Sequence, residues 1–185
     1  GAQSIYNFLN RKIKKNFFFI NNLKTNLELK DKKKNFVNII VSKSGNTLET
    51  ICNSNIIIKN NKKNIIVTEI NKNFLNNLAF KLKADIVEHK NYIGGRYSVL
   101  SEVGMLPAQL MGLKDKKFKR LNYLINNKIF FNQLINNVQS TLSLINKDKY
   151  ISVILNYDEH SEDLFKWYQQ LIAESLGKKS KGILP

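Results

Sequence analysis

The sequence contains very little cysteine, histidine, proline or tryptophan, and each scarcity limits what the protein can be. Its single cysteine, Cys52, excludes a framework of disulfides and any cluster of thiolate metal ligands. The two histidines, His89 and His160, leave too few ligands for a typical zinc site, and each is interpreted as a surface or capping residue. No apolar run approaches the roughly 20 residues of a membrane span, and no signal peptide is visible. We therefore expect a metal-free cytoplasmic protein with no membrane partner.

Acidic residues are also scarce, and 14 of them against 30 lysines and arginines give a net charge of +16. Such a charge often indicates a protein that binds nucleic acid. Here 27 Asn, 27 Lys and 22 Ile make up 76 of the 185 residues, and all three types have codons rich in A and T. The lysines are spread along the chain, and the densest run, at residues 114–120, is typical of a solvated helix face. We therefore expect no nucleic-acid partner.

Short runs of β-branched or aromatic residues alternate with longer helical patterns along the chain. The runs predict strands at residues 16–20, 36–41, 64–68, 84–87 and 150–155. The patterns between and after them predict helices at residues 23–33, 47–57, 71–83 and 161–176, and a long helical stretch at residues 99–147. Strands that alternate with helices indicate βαβ units, and the runs show little apolar/polar alternation, as expected for strands covered on both faces. The sequence therefore predicts an α/β fold, a three-layer sandwich around a mostly parallel sheet.

A polar segment with one glycine follows the predicted strand at residues 36–41 and leads into a helix. It reads Ser42-Lys43-Ser44-Gly45-Asn46-Thr47-Leu48-Glu49-Thr50. Asn46 and Glu49 have the spacing of a reciprocal cap, which would start the helix and leave the N–H groups of its first turn facing the loop. Hydroxyls and a glycine at the carboxyl end of a strand favour a phosphate-binding loop, because the helix dipole adds positive potential there. The alternative is an ordinary polar turn capped by Asn46.

A second loop follows the predicted strand at residues 84–87 and reads Tyr92-Ile93-Gly94-Gly95-Arg96-Tyr97-Ser98. Its two glycines would leave space for a ligand. Arg96 is one of only three arginines in a chain with 27 lysines, which favours a need for a planar, permanently charged group at this position. The alternative is a surface arginine in a flexible turn.

The last predicted helix contains the only tryptophan of the chain within an amphipathic pattern. On a helical wheel one mainly apolar stripe is formed by Leu164, Trp167, Tyr168, Leu171, Ile172 and Ser175. Gln170 and Glu174 are four residues apart on the flank of this stripe, so they share a face. A partly desolvated carboxylate at Glu174 could act as a general base. The alternative is a solvated glutamate on an amphipathic helix.

Together these three segments resemble the glucose-6-phosphate isomerase family in order, spacing and residue type. Residues 42–50 are similar to its sugar-phosphate loop, residues 94–107 to its first signature, and residues 167–178 to the helix that carries its catalytic glutamate. The first segment is shared by other sugar-isomerase (SIS) domains, whereas the last two are specific to the family. The resemblance covers essentially the whole chain and implies a SIS domain, which has a doubly wound, flavodoxin-like fold.

The resemblance also implies an activity and a role for each matching residue. The activity is the interconversion of glucose 6-phosphate and fructose 6-phosphate through an enediolate, with no cofactor and no metal. Glu174 would be the base that moves a proton between C2 and C1, and Arg96 would stabilise the enediolate. Gln170 and Gly95 would contact the substrate. The phosphate would be held by Ser42, Lys43, Ser44, Gly45, Asn46 and Thr47, where Asn46 stands at a position that is often Thr in the family.

The resemblance further implies how the chain is organised. Residues 1–158 would form a first SIS-type lobe without its opening strand. Residues 159–185 would supply the helix with Glu174 and the start of a segment leading to a second lobe. The family's Gly-Gly-Ser loop, ring-opening histidine and late lysine match no residue here, so we expect part of a longer enzyme that works as a homodimer. The alternative is a SIS module that binds sugar phosphates without turnover.

Overall fold

The structure is a computed structural model, and it describes residues 1–23, 36–58, 63–178 and 182–185. The chain divides into two compact units. Residues 16–107 form the sheet unit, and residues 1–15 together with 108–185 form the helical unit. The predicted helix at residues 23–33 lies almost wholly outside the described residues. The predicted boundary at residue 158 concerns the lobes of a longer protein and stays a prediction.

The described residues form seven α-helices, three β-strands and four short 3₁₀ segments. The helices are α1 (Ala2–Phe8), α2 (Leu48–Ile57), α3 (Phe74–Leu82), α4 (Glu102–Leu110), α5 (Asp115–Phe118), α6 (Lys128–Ile145) and α7 (Glu162–Leu176). The strands are β1 (Val37–Val41), β2 (Lys63–Thr68) and β3 (Asp85–Glu88). The 3₁₀ segments are Asn10–Lys12, Gly95–Leu100, Lys119–Asn126 and Glu159–Ser161. No described helix combines the length and the apolar character that crossing a membrane requires.

The three strands form one parallel sheet in the order β1-β2-β3. Val41 of β1 pairs with Val67 of β2, and Thr68 of β2 pairs with Glu88 of β3. Because the strands are parallel and α2 and α3 connect them, their carboxyl ends lie at the same edge of the sheet. These three strands and their connecting helices confirm the predicted α/β fold with a parallel sheet.

The core of the sheet unit joins the sheet to α3. Its buried cluster contains Ile40 of β1, Ile66 of β2, and Leu75 and Ala79 of α3. Ile66 and the next residue, Val67, are completely buried, as expected for the central strand of a covered parallel sheet. Burying a side chain as large as isoleucine or leucine stabilises the fold by about 1.5–3 kcal/mol. The cluster therefore holds α3 firmly against the strands.

Two predicted strands are wrong. Residues 16–20 pair with no strand among the described residues, and residues 150–155 make only one isolated parallel bridge, between Ile151 and Leu184. A strand needs a neighbour that completes its hydrogen bonds, whatever the preference of its side chains. In the first segment the rings of Phe17 and Phe19 stack on each other instead, with their centroids 6.3 Å apart.

The long helical stretch predicted for residues 99–147 is helical in several separate segments. The chain there forms α4, α5 and α6, with the 3₁₀ segment Lys119–Asn126 between the last two. Gly112, two residues after α4, has a φ of 88°, which a right-handed helix cannot contain. The N–H group of Leu113 donates back to the carbonyl of Ala108 at 2.9 Å, so the chain turns at this glycine.

In the helical unit, α1 packs against the first turn of α7 around Asp163. The Ser4 hydroxyl donates to the backbone carbonyl of Asp163 at 2.9 Å. The side-chain amides of Gln3 and Asn7 both donate to Oδ2 of the same residue. Ser4 and Ile5 are buried at this contact. The contact fixes the start of α7, the helix that carries Gln170 and Glu174.

Two hydrogen bonds lower the pKa of Asp158, which precedes the 3₁₀ segment leading into α7. The Ser161 hydroxyl donates to its Oδ2 at 2.7 Å, and this is the larger cause. The backbone N–H group of His160 donates to its Oδ1 at 3.1 Å. A carboxylate with a depressed pKa in the folded state adds stability above its unfolded pKa and loses it as the pH falls through the folded value.

We predict that Asp158→Asn lowers the free energy of unfolding at pH 7. The difference from wild type should shrink as the pH falls below about 4, the ordinary pKa of an aspartate in the unfolded chain, and on through the lowered pKa of the folded state. Urea unfolding followed by circular dichroism, at pH 7 and at several pH values below about 4, measures both effects. Asp148→Asn is the matched control, because it removes the same charge at a position without these two hydrogen bonds. A difference that stays constant across the pH range would show that the charge of Asp158 is not responsible.

Candidate functional site

The candidate phosphate loop, residues 42–47, lies at the carboxyl end of β1 and leads into α2. The Ser42 hydroxyl is buried and lies 2.7 Å from the Thr47 hydroxyl, which joins the two ends of the loop. Between them the N–H group of Gly45 donates to the carbonyl of Ser42 at 3.2 Å. Gly45 has a φ of 69°, a conformation that favours glycine. The loop is therefore a closed turn, with Ser44 and Thr47 exposed on it.

The predicted reciprocal cap between Asn46 and Glu49 is wrong. Helix α2 begins at Leu48, its N-cap is Thr47, and no side chain caps it. The side-chain oxygen of Asn46 instead accepts the N–H group of Phe74 at 2.9 Å. The first turn of α3 also has N–H groups that lack a partner within the helix, and these compete for the amide oxygen. The N-terminus of α2, with the positive end of its dipole, is thus left to the loop.

The first turn of α3 holds the phosphate loop in place. The N–H group of Leu75 donates to the carbonyl of Gly45 at 3.1 Å. Asn73, the N-cap of α3, is buried and accepts the N–H group of Asn76 at 2.8 Å. Its amide also donates to the carbonyl of Glu69 at 3.1 Å. The start of α3 thus serves as a structural support for the loop that precedes α2.

Lys43 connects the phosphate loop to the loop that carries Arg96. Its ammonium donates to the carbonyls of Asn91 and Ile93 at 2.8 and 3.0 Å. It also lies 3.6 Å from the Glu69 carboxylate. The sequence-based interpretation gave Lys43 to the phosphate alone, whereas the structure shows that its side chain brings the two predicted loops together.

The second loop places Gly95 and Arg96 at the start of the 3₁₀ segment Gly95–Leu100. The Arg96 guanidinium lies over the ring of Tyr97, 4.9 Å from its centroid, in a cation–π contact. Gly95 is exposed, and a methyl group added to it would meet no atom within 4 Å. The structure therefore leaves open space at Gly95.

Gln170 and Glu174 lie together in the helical unit, on α7. The side-chain amide of Gln170 donates to Oε1 of Glu174 at 2.9 Å. Both residues are exposed, whereas all six residues of the predicted apolar stripe are half-buried. The expectation of a partly desolvated Glu174 is wrong for this chain, because α7 packs against α1 and Glu174 remains outside the buried surface. The hydrogen bond from Gln170 restricts the orientation of the Glu174 carboxylate.

Two residues of this region were missed by the sequence analysis. Asn73 is one of 27 asparagines in the chain, so its residue type alone does not distinguish it as a helix N-cap. His89 was interpreted as a surface or capping residue, which is wrong, because it is only 2% exposed. Its partners, Glu102 and the carbonyl of Ile93, depend on the tertiary fold. Among the described residues, no group of three His, Cys, Asp or Glu side chains could hold a metal ion.

We predict that Gly45→Ala destabilises the protein by roughly 1–3 kcal/mol. The added Cβ would clash with the side chain of Asn73, and the positive φ would strain an alanine even without that clash. The free energy of unfolding in urea measures the effect. Gly95→Ala is the matched control and should change that free energy by less than about 0.5 kcal/mol. Equal stability of the two variants would contradict the described packing of Gly45 against Asn73.

Comparisons with known proteins identify relatives of this chain. The family model for phosphoglucose isomerase, another name for glucose-6-phosphate isomerase, matches residues 7–182. Glucose-6-phosphate isomerase from Methanocaldococcus jannaschii is 34% identical over 200 residues, which cover 100% of this chain and 49% of that protein. The enzyme from Mycoplasma capricolum is 34% identical over 169 residues, which cover 83% of this chain and 39% of that protein.

A solved structure supports the fold independently. A hypothetical protein from Thermus thermophilus superimposes with a TM-score of 0.62 and 23% sequence identity, over 78% of this chain and 38% of that one. The chain thus spans about half the length, or less, of the proteins that it matches. Because the family model matches nearly all of its residues, the chain belongs to the phosphoglucose isomerase family.

Proposed function

We propose that the complete protein containing this chain is a glucose-6-phosphate isomerase. It interconverts D-glucose 6-phosphate and D-fructose 6-phosphate in the cytoplasm. The observation that carries the proposal is the closed loop of residues 42–47. The first turn of α3 donates hydrogen bonds to this loop, and the N-terminus of α2 has no side-chain cap. In a chain of this family, that arrangement fits the phosphate group of a sugar ester.

The phosphate would be bound by groups that the structure leaves accessible. Ser44 and Thr47 are exposed residues with hydroxyl groups, and the first turn of α2 offers backbone N–H groups. Lys43 adds a positive charge at the same loop. The phosphate group is remote from the reacting carbons, and binding it would position C1 and C2 for the reaction. Binding energy from the phosphate would therefore contribute to the rate.

Glu174 would carry out the proton transfer between the two carbons. Its carboxylate takes the proton from C2 of the open-chain aldose and returns it to C1, while a hydroxyl proton moves from O2 to O1. Gln170 orients the carboxylate through its hydrogen bond and contacts the substrate. Arg96 opposes the negative charge that develops on the enediolate oxygens, an interaction that is strongest in the transition state.

The organisation of the complete protein is part of the same proposal. Residues 1–158 belong to a first lobe, residues 159–185 lead toward a second, and the enzyme is a homodimer. Exposed apolar side chains along α6 support the proposal that this helix packs against a second lobe or a second subunit. Ile129, Phe131 and Leu142 are 71, 53 and 54% exposed, more apolar surface than a free helix face in water favours.

We predict that Glu174→Gln in the complete protein lowers kcat about 10²–10⁴-fold, because glutamine keeps the shape of the side chain but cannot accept the proton. A coupled assay of glucose 6-phosphate formation measures the loss. Glu162→Gln is the matched control on the same helix, since Glu162 forms an exposed ion pair with Lys166 and has no role in the reaction. Full activity of Glu174→Gln would overturn the role of Glu174.

Two measurements on the complete wild-type protein distinguish an enzyme from a non-catalytic binding module. Calorimetry with fructose 6-phosphate measures binding, and the coupled assay measures turnover. Binding without any isomerisation by the complete wild-type protein would contradict the proposed activity and favour a sugar-phosphate-binding module.

A further inference from the structure

A buried imidazole lies next to the loop that carries Arg96. His89 directly follows β3, and only 1% of its side chain is exposed. Its backbone N–H group donates to the carbonyl of Thr68 at 2.8 Å, which continues the pairing between β3 and β2. Because a buried polar ring needs hydrogen-bond partners, the contacts of its two nitrogens show which segments the ring connects.

Both ring nitrogens of His89 meet oxygen atoms. Nδ1 contacts Oε1 of Glu102, the first residue of α4, whose side chain is 21% exposed. Nε2 lies 3.1 Å from the carbonyl oxygen of Ile93. A carbonyl oxygen can only accept a hydrogen bond, so Nε2 is the donor in its contact with Ile93. The ring thus bridges the start of α4 and the loop at Ile93.

The carbonyl of Ile93 also accepts the ammonium of Lys43, at 3.0 Å. This oxygen therefore accepts two hydrogen bonds, one from His89 at the end of β3 and one from Lys43 in the phosphate loop. Ile93 immediately precedes Gly94 and Gly95, whose backbone is permissive. The place of Arg96 therefore depends on how firmly the chain is held just before the two glycines.

We propose that His89 is a positioning residue for Arg96. Together with Glu102 it fixes the carbonyl of Ile93, and through it the segment Gly94-Gly95-Arg96 against the phosphate loop. The effect on reaction rate rests on the proposed function, in which Arg96 stabilises the enediolate. A displacement of about 1 Å at a catalytic group can lower a rate about 10²-fold, so a buried residue that never touches the substrate can affect turnover.

The first test measures the loop itself and needs no activity. The double variant His89→Leu/Glu102→Leu removes both polar groups together, which avoids leaving an unpaired buried charge. Amide hydrogen exchange of residues 94–98, followed by mass spectrometry in the complete protein, should be about tenfold faster than in wild type. Glu102→Gln, which keeps an acceptor for Nδ1, should leave the exchange rate unchanged. Unchanged exchange in the double variant overturns the proposal.

A second variant covers the case in which the double variant does not fold. His89→Gln keeps a polar group in the same place but spans only one of the two contacts. Exchange at residues 94–98 should again be faster than in wild type, and a wild-type exchange rate in a folded His89→Gln protein overturns the proposal equally.

The second test asks whether the effect passes through Arg96. In the complete enzyme, His89→Leu/Glu102→Leu should lower kcat about 10–100-fold and leave KM within about twofold. In an Arg96→Ala background the same change should have no further effect on kcat. An equal loss in both backgrounds would show a merely structural role and overturn the proposal.

The two tests separate this inference from the proposed function. If the complete wild-type protein isomerises no sugar phosphate, the proposed function fails. The hydrogen-exchange result then decides by itself whether His89 positions the loop.

Discussion

The candidate site depends on the hydrogen bonds that three backbone N–H groups donate at the start of α3. Those of Phe74 and Leu75 hold Asn46 and Gly45 of the phosphate loop, and that of Asn76 is satisfied by the buried N-cap of the helix. An N-terminus committed to protein acceptors has little left for a ligand. Helix α3 therefore supports the loop, while α2, which has no side-chain cap, can offer its own first turn to an anion.

The parallel sheet brings the supporting and the supported segments to one edge. The chain leaves β1 at the phosphate loop, β2 at Glu69 and β3 at His89, and a chain of contacts joins all three. Lys43 lies near the Glu69 carboxylate and donates to Ile93, and His89 reaches the same carbonyl from the other side. Because β1, β2 and β3 are fixed by their ladder and by the core under α3, these loops have a rigid base, as a precise binding site requires.

Local signals in the sequence were sufficient for the strand–loop–helix units but not for the contacts between them. The strands β1, β2 and β3 and the loops after β1 and β3 follow from β-branched runs and their polar ends. The partner of Asn46 lies 28 residues away, and Glu102, one of the two partners of His89, lies 13 residues away. Spacing in the sequence therefore predicts neither the capping by Asn46 nor the burial of His89. Residues 16–20 and 150–155 have strand-like composition but no neighbouring strand in the described part of the chain, and pairing is a property of the fold rather than of the segment.

The most direct measurement is a crystal structure of the complete protein with fructose 6-phosphate. The proposed function predicts phosphate oxygens within about 3 Å of the Ser44 and Thr47 hydroxyls and of the N–H groups at the start of α2. It also predicts the Glu174 carboxylate within roughly 3–3.5 Å of C1 and C2 of the same sugar. A phosphate bound away from residues 42–47, or a sugar whose reacting carbons lie beyond the reach of Glu174, would contradict it.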